Sequence, residues 1–533
     1  MTELDATSIL EALDEDQQLA AKALRGPVAI IAGPGSGKTR TVSHRIAYGI
    51  ATDVYSPQRV LALTYTNRAA AELRFRLRQL GASVQVRTFH SAALSQLQYF
   101  WPQVTGYSAP KLLTSKGSLL QQAVEELRIP SAAFNLAEVI AEIEYLSYSQ
   151  RNLEEFDSKA LPGRFSDLVI RYRELKAERR LVDWEDTLLL CTGMLRNEPR
   201  VMAQFEQQYR HFTVDEYQDI SPLQQGLLET WLGNREDVCV VGDPRQTIYS
   251  FSGASSDFLT GFASRFDTAE VFELNRNYRS AKEIVDVANT VLPQSPLIAI
   301  SQSPGAVSFV NPANQSAEAE EICAQVSKST AELAEIAILA RTNSQLAAFE
   351  QQLDRLGLRF QVRGQGRFFA KPEIRQAMLA IRALSASEFC GDLFTQLTAI
   401  LRPLGWSAGP NKSEVAMDLD WFMHVFEELG SPGLEEYLRE LDERERSGHE
   451  PVQQAITLAT VHGTKGLEWL EVFLVGLNDQ LFPISHARKP EEIAEERRLF
   501  YVAVTRAKRK LVLSSPANRN PSEFVTELSG SRS

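Results

Sequence analysis

Within Ala32-Gly33-Pro34-Gly35-Ser36-Gly37-Lys38-Thr39 the residue types that hold a nucleoside triphosphate stand side by side. Glycines let backbone N–H groups converge on phosphate oxygens, a lysine reaches the β- and γ-phosphates, and a threonine hydroxyl can ligate Mg²⁺. The stretch departs from G-x-x-x-x-G-K-[ST] at its first position, where Ala32 replaces glycine. Such a loop needs a metal-positioning acid at the end of a neighbouring strand. The short run Phe212-Thr213-Val214 leads straight into Asp215-Glu216. Asp215 is expected to hold Mg²⁺ together with Thr39, and Glu216 to orient and deprotonate the attacking water. Together these residues predict nucleoside triphosphate hydrolysis with Mg²⁺.

The elements that must position them are legible too. The β-branched run Val28 to Ile31 predicts a buried parallel strand feeding the glycine loop, and Lys38-Thr39 should open a helix. A second strand-like run, Val238 to Val241, ends in the turn Gly242-Asp243-Pro244, followed by the amide of Gln246 and the rings of Tyr249 and Phe251. An amide and two ring faces in one loop are an unusual ending for a core strand.

The chain has 533 residues, enough for several domains, and its 44% hydrophobic and 23% charged content is that of a globular protein. The four cysteines form no C-x-x-C pair, which argues against a disulfide framework or zinc knuckle. The acidic start lacks the basic segment and apolar run of a signal peptide, and no apolar run approaches a membrane span. The expectation is a cytoplasmic protein without membrane contact. A formal net charge of −12 speaks against nucleic acid at first sight. Phosphate binding depends on local basic surface, however, so net charge leaves the partner open.

The order of further motifs resembles the UvrD/Rep (PcrA-like) family of superfamily 1 DNA helicases over nearly the whole chain. "LDEDQQLAA" resembles its adenine-reading Q motif, "LALTYTNRAAAEL" its motif Ia, and "RTFHSAAL" the DNA-contacting motif that follows. "NRNYRS" matches motif IV, "TLATVHGTKGLEW" motif V and "EERRLFYVAVTRAKRKL" motif VI. "GDPRQTIYSFSGA" then reads as motif III, the coupling element. The resemblance makes the nucleotide ATP and implies that Gln17 reads adenine, that Tyr278 and Arg40 cover its two faces, and that Glu468 contacts the ribose. It makes Arg279 and Arg506 the arginines that neutralise transition-state charge and Gln246 the sensor of the γ-phosphate. It places Thr64, Asn67, Thr88, Phe89, His90, Tyr249, Phe251 and His462 along single-stranded DNA, the rings stacking on bases. His90 and His462 lack metal-ligand spacing, so hydrogen bonding to phosphate is the expected role.

The implied architecture is α/β, two RecA-like P-loop cores with helical inserted subdomains. Residues 1–90 and 181–275 should form the first, ATP-binding core, with 91–180 as a helical insertion. Residues 276–385 and 452–520 should form the second, with 386–451 as a reduced helical insertion and 521–533 as a tail. Typical family members carry a larger insertion at the position of 386–451, where it contacts duplex DNA. The implied activity is a 3′→5′ single-stranded-DNA translocase and helicase in DNA repair or replication, working in a bacterial-type cytoplasm on the nucleoid. Its partners are single-stranded DNA, strand–duplex junctions and a possible protein loader. Alternatives are a DNA-stimulated ATPase whose weak unwinding needs a partner, an RNA-acting superfamily 1 enzyme, and an ATP switch with a degraded site. Against the switch, Lys38, Thr39, Asp215, Glu216, Gln246, Arg279 and Arg506 are all present.

Overall fold

The computed structural model describes residues 5–113, 115–130, 134–363, 367–384, 392–407, 413–446 and 454–530. It divides into two compact units, Met1–Gly33 with Gly37–Leu274, and Pro34–Ser36 with Asn275–Ser533.

The first unit is built on a six-stranded sheet. Its strands are β1 (Val28–Ala32), β2 (Val60–Thr64), β3 (Gln85–Thr88), β4 (His211–Val214), β5 (Val238–Gly242) and β6 (Glu270–Leu274), in the order β3-β2-β4-β5-β1-β6. Every pairing is parallel. Strands β2, β4 and β5 are buried along their whole length, as expected for a sheet covered on both faces. Alternation along each strand divides the core in two. Val28, Ile30, Val60, Ala62, Cys239 and Val241 enter one cluster, whereas Ala29, Leu61, Leu63, Val238 and Val240 enter the other. Because the strands are parallel, all their carboxyl ends lie on one edge. That edge carries the glycine loop after β1, Thr64, Thr88, Asp215 and the turn after β5.

The helix Phe89–Thr105 contributes Ala92, Ala93, Leu97 and Phe100 to the core of this sheet. The helical insertion therefore starts later than residue 91. Its own core joins Leu119, Leu120, Val139, Ile143, Leu168, Val169 and Tyr172 from the helices Gly117–Glu126, Leu136–Tyr148 and Phe165–Glu178.

The second unit holds another six-stranded sheet. It comprises β7 (Ala306–Val310), β8 (Ile336–Ala340), β9 (Phe360–Val362), β10 (Ile456–Thr460), β11 (Trp469–Leu474) and β12 (Ala507–Ser514), ordered β7-β12-β11-β8-β10-β9. It too is parallel throughout. Two segments differ from the sequence expectation. Pro372–Ala383, expected in this core, buries Ile374, Ala377, Met378 and Ile381 among Leu397, Leu401, Phe422 and Tyr437, so it belongs to the helical insertion. The 386–451 segment itself is only partly covered, since 386–391, 408–412 and 447–451 lie outside the described residues. The expected tail contains a helix, Glu523–Gly530, whose Phe524 is 1% exposed and packs 5.4 Å from Phe500. Phe524, Val525 and Leu528 are spaced to make one apolar helix face, and burying that face fixes the segment. Among the described residues no helix is long and apolar enough to cross a membrane.

Candidate functional site

The glycine loop is positioned by β1 and by a buried glutamine beneath it. Gly37 caps the helix Lys38–Ala51 in the left-handed region at φ 79°. A Cβ there would lie 2.6 Å from Gln17 Nε2, so both conformation and space require glycine. Gln17, 4% exposed, is held by a capping box: its N–H donates to Asp14 Oδ1 (2.9 Å) and its Oε1 accepts from the Asp14 N–H (3.3 Å). Arg40, exposed on the same helix, donates to the Ala12 carbonyl. Lys38 and Thr39 occupy the first turn, where the helix dipole and free N–H groups favour phosphate. Ala32, Gly33, Pro34 and Ser36 are buried, while Gly35 is half-buried.

Opposite the loop, β4 delivers the acidic pair. Lys38 Nζ lies 3.2 Å from Glu216 Oε1. Asp215 is 5% exposed, and burial together with the adjacent Glu216 charge pushes its carboxyl up to about 7, with Lys38 opposing. A buried carboxyl raised in this way suits a divalent cation, whose charge returns it to the anionic form. A carboxylate and a threonine hydroxyl are oxygen donors of the kind that Mg²⁺ takes beside a triphosphate, so Asp215 and Thr39 are the residues that would hold it. Glu216 sits at φ 54°, ψ 40°, a left-handed conformation that costs a non-glycine residue on the order of 1 kcal/mol or more. The fold holds this one acid in strain.

Sequence reasoning missed the residues that connect the acid to the loop after β5. Gln218 Nε2 donates to Glu216 Oε2 at 2.6 Å, and Gln218 Oε1 accepts from the Asp243 N–H at 3.0 Å. Asp243 Oδ2 accepts from Gln246 Nε2 at 2.9 Å, while Oδ1 accepts from Arg245 Nε at 2.9 Å. Gln218 and Asp243 are 0% exposed and Gln246 is 5% exposed. The available signal was a polar residue two places after the acid and an Asp at the end of an apolar strand.

The residues expected along DNA separate into exposed and buried groups. Phe251 is 63% exposed, and Tyr249 stacks on Tyr65 with ring centroids 5.6 Å apart and planes 15° from parallel. Phe89, expected on the strand track, is 2% exposed and stacks on Trp231 at 5.8 Å inside the sheet's core. Its ring faces are taken by packing, so it anchors a helix and offers no face to a base. Phe89→Ala is expected to lower folding stability by about 3–5 kcal/mol. Thermal or denaturant unfolding checks this, and DNA affinity per folded molecule should stay near the native value. Thr88 caps that helix through a capping box with Ser91, and the Thr64 hydroxyl donates to the Thr66 carbonyl at 2.9 Å. Asn67 Oδ1 is buried with no hydrogen-bond partner among the described residues.

His90 Nε2 lies 3.0 Å from the Tyr148 hydroxyl. Burial, with Lys116 adding to it, holds the His90 imidazole down to about 4, and burial with Arg341 does the same for His462. Both rings are therefore neutral across pH 6–8 and carry no charge to pair with phosphate. The salt dependence of single-strand binding should consequently keep the same slope at pH 8 and pH 6, measured by titrations at several salt concentrations. A steeper slope at pH 6 would show that binding protonates them.

In the second unit Tyr278 is 43% exposed. Arg279 Nε is 2.5 Å from Glu468 Oε2, and Lys508 Nζ is 3.0 Å from Glu468 Oε1. Burial alone would raise the Glu468 carboxyl, but Arg279 and Lys508 hold it below its ordinary value. Arg506 is 2% exposed, donating to the carbonyls of Val502 (2.9 Å) and Leu467 (3.0 Å). Glu468 and Arg506 precede β11 and β12, at the amino edge of the sheet, whereas His462 follows β10 at the carboxyl edge. The second sheet thus separates its expected nucleotide residues from its expected DNA residue.

A parallel sheet with a glycine loop after one strand and an acidic pair after another, its glutamate backbone in the left-handed region, defines a P-loop nucleoside triphosphatase. The sequence matches the family models of the UvrD/REP helicase N-terminal domain over residues 13–267 and of the UvrD-like helicase C-terminal domain over 272–388 and 395–518. The chain belongs to the UvrD/REP helicase family, and its two sheets are the two RecA-like cores of that fold. It is 38% identical to the ATP-dependent DNA helicase UvrD2 of Mycobacterium tuberculosis (strain ATCC 25618 / H37Rv), over 96% of this chain and 80% of that one. It is 26% identical to the ATP-dependent DNA helicase PcrA of Bacillus subtilis (strain 168), over 98% of this chain and 86% of that one.

Proposed function

We propose that the protein is an ATP-dependent 3′→5′ single-stranded-DNA translocase and helicase, serving DNA repair or replication on the nucleoid in the cytoplasm. The observation that carries this reading is the hydrogen-bond path from the half-buried Lys38 and Glu216 through the buried Gln218 and Asp243 to Gln246, a few residues before the exposed Phe251. Nucleotide chemistry and base contact thus belong to one connected element. The relatives, named as ATP-dependent DNA helicases, support DNA over RNA.

In this reading the backbone from Ala32 to Gly37 and the Lys38 amine bind the phosphates. Thr39 and Asp215 hold Mg²⁺, which supplies charge neutralisation at the phosphates. Glu216 accepts a proton from the attacking water, and Gln246 senses the state of that site. Gln17, Arg40 and Tyr278 take the adenine and Glu468 the ribose, while Arg279 and Arg506 meet the charge that develops on the transferred phosphoryl group. Tyr249 and Phe251 hold bases, with Thr64, Asn67, Thr88, His90 and His462 as neutral polar neighbours of the strand. The direction rests on the family resemblance.

A second reading, weak intrinsic unwinding that needs a partner at a strand–duplex junction, is favoured by the helical insertion. Its helix Leu434–Arg446 has six acids against three arginines, with Glu435 and Glu436 exposed in its first turn and Glu440 and Asp442 paired with Arg444 and Arg382, a net negative composition that does not attract duplex phosphates. ATP hydrolysis with and without single-stranded DNA tests the motor, and an unstimulated native rate would sink it. Stimulation by RNA alone would transfer it to RNA. Strand displacement on 3′- and 5′-tailed duplexes tests direction. Efficient unwinding of a blunt-flanked duplex at low enzyme excess would sink the partner-dependent reading.

A further inference from the structure

We infer that Gln218 is a positioning residue that locks the catalytic carboxylate to the coupling loop, a role that rests on the reading of the preceding subsection. Its amide bridges the Glu216 carboxylate and the Asp243 backbone N–H. The two ends of that link demand different chemistry. One end faces the Glu216 carboxylate and must donate. The other faces a backbone N–H and must accept. A glutamine amide does both at this spacing, a glutamate offers acceptors to both ends, and asparagine is one methylene shorter.

Gly242 makes room for it. A Cβ on Gly242 would lie 2.3 Å from Gln218 Oε1, so β5 ends in glycine where the amide passes. Gly242 lies outside the left-handed region, so the requirement is space and not conformation.

The arrangement has a direct mechanical consequence. Glu216 is held at Oε1 by Lys38 and at Oε2 by Gln218. When Lys38 turns to a phosphate, Gln218 remains to aim the carboxylate at water. A shift of Glu216 is then passed through the Gln218 side chain to the Asp243 N–H. From there it reaches Gln246 and Arg245 through the Asp243 carboxylate, at the root of the loop bearing Tyr249 and Phe251. Gln218 therefore governs turnover and the dependence of DNA grip on nucleotide state together.

The test uses the full chain, oligothymidylate and ATP, ADP or a non-hydrolysable ATP analogue. Gln218→Met keeps the volume and removes both hydrogen bonds. Its kcat with DNA is expected to fall about 10–100-fold, the range for groups that orient a working ligand or carboxylate, with the KM for ATP near native. The difference in oligothymidylate affinity between analogue-bound and ADP-bound protein should collapse. A merely structural glutamine would lower the melting temperature but leave kcat per folded molecule and that affinity difference in place, which would overturn the inference. Gly242→Ala displaces the same amide from outside and should lower kcat and the affinity difference in the same direction, although its Cβ also meets Leu259 Cδ2 at 2.8 Å and the Gln218 N at 3.2 Å. In a Gln218→Ala background those contacts still cost stability, but the further loss of kcat per folded molecule should shrink, and an undiminished loss there would also overturn the relay. If the native chain is not stimulated by DNA, the function proposed above fails on its own. Gln218→Met must then still lower basal turnover, and a native basal rate would overturn the positioning role.

Discussion

Glu216→Gln should lower DNA-stimulated ATP hydrolysis by about 10²–10⁴-fold, the usual contribution of a positioned general base. The substitution keeps shape and removes charge. The amide oxygen can still accept from Gln218, but it can no longer take a proton from water. Nucleotide binding should persist, because in the proposed function the glycine loop and Lys38 hold the phosphates, and Lys38 loses an ion-pair partner 3.2 Å away and becomes freer to meet them. Asp215 gains as well, since the Glu216 charge is the second cause of its raised carboxyl. Steady-state hydrolysis with saturating oligonucleotide, paired with a fluorescent-nucleotide titration, separates the two effects. Lys38→Ala is the control that should lose binding as well as turnover. Native turnover in the Glu216→Gln chain would remove Glu216 from the mechanism and leave Asp215 to act alone.

Phe251→Ala should weaken single-strand binding by about 1–3 kcal/mol, or roughly 5–150-fold, the cost of losing one base–aromatic stack. The ring is 63% exposed, so little packing is lost with it. Its edge contact with Tyr249, at 6.0 Å, means that part of the effect can come from a looser Tyr249. Because no charge is removed, the slope of affinity against salt concentration should not change. Anisotropy titrations with oligothymidylate at several salt concentrations give both quantities. An unchanged affinity would place the DNA away from this loop. The contrast with Phe89→Ala is instructive, since one ring is expected to matter for binding and the other for folding.

Those two phenylalanines show where a linear sequence stops being informative. Both stand among small and polar residues in stretches that resemble DNA-contacting motifs. Phe89 is buried because Trp231, far along the chain, closes over it, and no local pattern announces that partner. The helices Pro372–Ala383 and Glu523–Gly530 make the same point. Their apolar spacing is visible, but the surface that each face packs on is a matter of tertiary contact. Gln218 is a polar residue after a strand until β5 brings Asp243, 25 positions away in sequence, within 3.0 Å of it.

By itself the sequence determined the parts whose chemistry is contiguous: the glycine loop from Ala32 to Thr39, the acidic pair at Asp215-Glu216, and the motif order that marks the family. In these, neighbouring residues act on one ligand, so spacing along the chain is also spacing in space. Tertiary structure alone decided which aromatic rings are exposed and which are buried, which histidines remain neutral, and how Glu216 is joined to Gln246. Those properties depend on burial and on hydrogen bonds between strands that are adjacent only after the parallel sheet has formed.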